Sequence, residues 1–79
     1  MHQPNLTPEE WNLLAARTIK SVLVKRGMKY HDLARRLKLI GVDETQASIA
    51  SKMSRGTFSF TFVMQIMQVL EIDYIDLTN

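Results

Sequence analysis

The chain has only three glycines, and each falls where a helical apolar pattern breaks off: Gly27 after Lys25-Arg26, Gly41 after Leu39-Ile40 and Gly56 after Ser54-Arg55. Glycine enters positive φ without steric cost, so it is the usual residue just past a helix end. These positions cut the chain into helix-length segments. Thr7-Pro8-Glu9-Glu10 opens the first, with Thr7 as cap, Pro8 in the first turn and Glu10 where a capping-box acid belongs. Helix 1 is therefore expected from Pro8 to about Arg26, with Trp11, Ala15, Ile19, Val22 and Leu23 in one stripe. A second helix runs from Lys29 or Tyr30 to Leu39, with Leu33, Ala34, Leu37 and Ile40 inward and Asp32 near its positive end. A third, capped by Asp43 or Thr45, runs to Arg55 and has only Ala47, Ile49, Ala50 and Met53 as apolar residues. One narrow side of it can be buried, and the rest must face something polar.

Phe58-Ser59-Phe60-Thr61-Phe62 alternates as an edge strand would, but no other segment offers an alternating run to pair with it. The segment reads instead as the start of a fourth helix, capped by Ser59 or Thr61 and running from Phe60 to Glu71. Asp73 to Leu77 adds a short helical turn that closes the core through Ile75 and Leu77. The expectation is an all-α, compact four- to five-helix bundle, one domain over residues 1–79, with residues 1–6 disordered.

Composition removes several classes of function. At 46% hydrophobic and 23% charged residues the chain belongs with folded globular domains. The absence of cysteine removes disulfides, thiolate zinc sites and cysteine nucleophiles. Met1 to Thr7 has neither the basic nor the apolar run of a leader, and no stretch approaches the roughly 20 apolar residues of a membrane span. A cytoplasmic protein is expected. His2 and His31 have no partners at metal-ligand spacing, and neither a phosphate-cradling glycine loop nor a catalytic triad or carboxylate pair can be assembled. No enzyme activity, cofactor, metal or small-molecule substrate is expected.

Charge is segregated along the sequence. All ten cations lie between Arg17 and Arg55 with only Asp32, Asp43 and Glu44 among them, a local balance of +7. The flanks carry Glu9, Glu10, Glu71, Asp73 and Asp76 and no cation, a balance of −5. A basic middle suits a polyanion, because Lys and Arg that neutralise phosphates release counterions. Ordinary solvated helix faces would produce the same count.

The order of features is more specific than the charge. Ile19-Lys20 and Leu23 precede Lys25-Arg26-Gly27-Met28; then come Leu33-Ala34-Arg35-Arg36-Leu37, Lys52-Met53-Ser54-Arg55-Gly56, and Val63 to Leu70 with Ile72. This set resembles the phage-repressor and Cro-like helix-turn-helix family over about Ile19 to Leu77. Ala34 is small where the two helices of such a motif approach, and Leu33 and Leu37 anchor the first of them. Two features depart from the family pattern. Lys38 to Gln46 lengthens the turn, and Ser54 stands where a glutamate commonly precedes the Arg-Gly pair, which points to a divergent bacterial branch.

The resemblance implies a lambda-repressor-like DNA-binding domain whose third helix enters the major groove of double-stranded DNA while the second crosses the backbone. Gln46 would then contact adenine, Ser48 and Ser51 several bases, and Lys52 guanine or phosphate. Lys29, Tyr30, Arg35 and Arg55 would hold phosphates. Against these stand plainer readings: a solvated face for Gln46 and Ser48, a half-buried Tyr30 filling the junction of helices 1 and 2, and only one of Arg35 and Arg36 facing DNA. The implied function is sequence-specific DNA binding in transcriptional regulation. The alternative is a helical protein-interaction module, antitoxin-like or adaptor, that keeps the fold without DNA.

From Phe62 to Leu70 only Gln65 and Gln68 are polar, and the apolar residues span about 220° of the helix, more than a one-sided amphipathic helix needs. Either the helix is central and covered on both sides, or the chain forms a homodimer in which Phe58, Phe60 or Met64 meet across a two-fold axis.

Overall fold

The structure, a computed structural model, describes residues 5–73. Four helices follow one another: α1 (Pro8–Lys25), α2 (Tyr30–Leu39), α3 (Gln46–Arg55) and α4 (Phe60–Leu70), and the described residues contain no strand. The expected turn over Asp73 to Leu77 lies, from residue 74 on, outside the described residues, as do residues 1–4 of the segment expected to be disordered.

Each helix starts on a side chain that satisfies an otherwise unpaired backbone N–H. Thr7 and Glu10 form a reciprocal capping box on α1, with Thr7 N–H donating to Glu10 at 2.8 Å and Glu10 N–H to Thr7 at 3.1 Å. Asp32 accepts from the Lys29 N–H at 2.9 Å at the start of α2. Thr45, not Asp43, caps α3, accepting from the Ser48 N–H at 3.0 Å. Ser59, not Thr61, caps α4, accepting from the Phe62 N–H at 3.0 Å.

Three helices end in one geometry. After α1, Met28 N–H donates to Leu23 and Gly27 N–H to Val24; after α2, Val42 donates to Leu37 and Gly41 to Lys38; after α4, Ile72 donates to Met67 and Glu71 to Gln68. This is the Schellman pattern, and Met28, Val42 and Ile72 then fold back onto the core. At α4 the left-handed position is held by Glu71 at φ 56°, so the helix stops at Leu70 and not at Glu71 itself. A side chain there is strained, and an acid at a helix C-terminus opposes the dipole. Glu71→Gly should therefore stabilise the protein by about 0.5–1 kcal/mol, read as a higher urea midpoint.

The core is Ile19 and Leu23 of α1, Leu33 and Leu37 of α2, Ile49 and Met53 of α3, and Phe62, Ile66 and Leu70 of α4. Helix α2 packs on both α3 and α4, and α1 lies across α3. The stripe of α1 differs from expectation. Ala16 is buried with Ile19 and Leu23, Ala15 and Val22 are half-buried, and Trp11 stays 50% exposed. The side of α1 carrying Asn12 and Ala16 faces the end of α3, whereas Trp11 lies at a groove with Phe58 and Val63. Ile40, expected inward, is exposed, as is Ala47. Ile49 and Met53 alone bury α3.

Candidate nucleic-acid interface

Because Ile49 and Met53 face inward, the opposite side of α3 carries Ala47, Ser51, Ser54 and Arg55, all exposed, with Gln46 exposed at its first turn. Apart from Arg55 the outward face is made of small residues, so its backbone can approach another surface closely. Arg55 Nη1 donates to Ser51 Oγ at 2.7 Å, which brings two of the residues expected at DNA together one turn apart.

Ser48 and Lys52 are placed differently. Lys52 Nζ donates to both oxygens of Glu44 at 2.8 and 2.7 Å and sits 4.9 Å from the centre of the Phe62 ring. Ser48 Oγ donates to Glu44 at 2.7 Å and accepts from the Thr45 N–H at 2.8 Å. Of the ten cations only Lys52 is withdrawn from full exposure, and its charge is matched inside the chain. Burial pushes the Glu44 carboxyl up, but the hydrogen bonds from Lys52 and Ser48 and the charge of Lys52 outweigh it and hold the group below its ordinary range. Glu44 is thus the residue that sequence reasoning missed. It lies just before the Thr45 cap of α3, and its spacing of four and eight residues from Ser48 and Lys52, that of one helix side, is the signal that could have found it.

At the start of α2, Lys29 is exposed and Tyr30 is half-buried against the core. Asp32 ties this turn down: the Lys29 N–H holds its carboxyl below the usual value, helped by the charges of His31, Arg35 and Lys29 against some desolvation. Arg35 reaches Asp32 at 3.3 Å and stays open to solvent. Arg36 turns away, its Nη1 3.4 Å from the Val69 carbonyl, and Arg26 Nη1 donates to the Leu70 carbonyl at 2.6 Å. Two arginines thus serve the negative end of α4, where cations are favoured. Lys29, Arg35 and Arg55 remain exposed on α2 and α3.

The dimer candidates separate as well. Phe58 is half-buried, edge-on to Phe62 at 6.0 Å between ring centres, while Phe60 and Met64 are 73% and 55% exposed. Among the described residues no group of three His, Cys, Asp or Glu is placed to hold a metal ion, and no helix is long and apolar enough to cross a membrane.

These features define a small all-helical domain in which one helix face is small and polar and carries Arg55, with Lys29 and Arg35 exposed at α2. The chain belongs to the family described as "Domain of unknown function (DUF6471)", whose model matches residues 11–75. Comparison with curated proteins and with solved structures found no match.

Proposed function

We propose that this chain is a sequence-specific DNA-binding protein acting in transcriptional regulation in the cytoplasm, with α2 and α3 used as a helix-turn-helix of the lambda-repressor-like kind. The observation that carries the reading is the outward face of α3: Ala47, Ser51, Ser54 and Arg55 are exposed, Gln46 is exposed at the first turn, and the set includes neither an acid nor a large apolar side chain. A face of this kind fits a major groove, where small residues allow depth and a few polar ends meet base edges. In this reading Gln46 and Ser51 face bases, and Lys29, Arg35 and Arg55 hold phosphates. Ser48 and Lys52 keep Glu44 in place and so position α3. Tyr30 supports the turn that carries Lys29.

The test is a salt-titrated binding assay on genomic fragments. Affinity should fall with a log–log slope of about −0.9 per phosphate neutralised. Gln46→Ala should cost roughly 1–3 kcal/mol on the preferred site and much less on random DNA, whereas Arg55→Ala should weaken both alike. Equal losses for the two variants on both DNAs would refute the assignment, and no binding to any fragment at low salt would favour a protein-interaction module.

A further inference from the structure

Helix α4 has no charged residue between Phe60 and Leu70, and only Phe62, Ile66 and Leu70 are buried. Beside that buried edge, at 100° per residue, Val63, Met67, Phe60 and Met64 follow one another within an arc of about 100°. Phe60 and Met64 are largely exposed on it. The Val63 side of this strip is one wall of a groove of about 290 Å³, completed by Phe58 and by Trp11, Leu14, Ala15, Thr18 and Ile19. Two lining side chains carry a polar group: the Thr18 hydroxyl, already spent on the Leu14 carbonyl at 2.8 Å, and the Trp11 indole N–H. The rest of the lining is carbon, which suits an apolar occupant.

We propose that the occupant is a second copy of this chain, docked about a two-fold axis so that each Phe60 enters the partner's groove and the two Met64 side chains lie near the axis. In such a contact, groups near the axis meet their own copies, so any charge would face a like charge. An α4 with no charge at all meets that condition, while it offers an oppositely charged foreign partner nothing to select. The area is also in range. Trp11, Phe60 and Met64, at 50%, 73% and 55% exposure, supply about 350 Å² if each spans about 200 Å² when fully open. The apolar part of a standard interface is about 450 Å² of the ~800 Å² per partner, and Leu14, Val63 and Met67 add the remainder. The inference is independent of the DNA reading, since it uses neither the exposed face of α3 nor the start of α2.

Sedimentation equilibrium of the full chain without DNA, together with the emission of Trp11, the chain's one tryptophan, tests it. From low to high micromolar concentration the mass should move from 9.1 kDa to twice that value, and Trp11 emission should shift to the blue along the same curve. Phe60→Ser should weaken the dimer at least about tenfold with helical circular dichroism unchanged. Met64→Lys and Met64→Glu should each associate poorly alone and, when mixed, pair at least about tenfold more tightly than either. A 9.1 kDa monomer throughout would overturn the proposal. So would a dimer whose formation leaves Trp11 emission unmoved, or one that Phe60→Ser does not weaken.

Discussion

Gly56→Ala should destabilise the protein by about 3–5 kcal/mol, whereas Gly27→Ala should cost about 1 kcal/mol. Both glycines are left-handed, at φ 68° and 66°, so backbone strain alone would make the two substitutions equal. What separates them is space. A Cβ at Gly27 would meet nothing within 4 Å, but at Gly56 it would overlap the Asn12 carbonyl, 2.7 Å from its carbon and 2.8 Å from the Asn12 Cβ. Most of the obstruction is helix backbone, which cannot swing aside as a side chain can. Either α1 lifts from α3 or the turn into α4 distorts, and both disturb the core around Ile19 and Met53. A domain of this size has roughly 4–12 kcal/mol of total stability, so Gly56→Ala removes a large share of it. Urea unfolding of the two variants measures the difference; equal midpoints would mean that α1 yields at this contact without cost.

That contact also explains which parts of the fold were legible in the sequence. Local signals carried the element boundaries: Thr7 with Glu10, the Thr45 and Ser59 caps, and Gly27, Gly41 and Gly56 at three ends all use chemistry confined to a few neighbouring residues. Glu71 escaped because a left-handed C-terminal position filled by glutamate has no sequence signature. Trp11 drew the stripe of α1 toward itself by size. The true stripe turns on Ala16, whose burial depends on how α1 packs across α3 and not on its own size. In the candidate interface the exposed side of α3 follows from its own periodicity, and the capture of Lys52 and Ser48 by Glu44 follows the same helical spacing carried one residue back past the Thr45 cap. Phe58, Phe60 and Phe62 alternate in sequence, and only the start of α4 decides that Phe62 is buried, Phe58 edge-packed and Phe60 outward.

Lys52→Met should destabilise the protein by about 2 kcal/mol at pH 7, with the loss shrinking as the pH falls toward 3.5. Lys52 and Glu44 retain only 26% and 13% of their side-chain exposure, so removing the ammonium leaves a carboxylate with little water to replace it. A fully buried pair broken in this way costs 3–5 kcal/mol, and the remaining exposure of Glu44 brings the figure down. In the natural chain the folded Glu44 carboxyl ionises below its ordinary value of 4.5, so its ionised form stabilises the fold above that pH. This contribution is lost as the pH drops through the lower folded value. Asp32, also lowered, adds to the same acid limb in both proteins. Without Lys52, burial pushes the Glu44 carboxyl upward, opposed only by the Ser48 hydrogen bond; where burial wins, the sign reverses and protonation favours the fold. The stability curves of the two proteins should therefore converge in acid, and curves that stay parallel from pH 7 to 3.5 would show that the pair has no energetic weight. The same variant separates the two roles open to Lys52. If its charge is spent on Glu44, Lys52→Met leaves the salt slope of DNA binding unchanged, whereas a slope smaller by about 0.9 would mean that Lys52 leaves Glu44 to neutralise a phosphate.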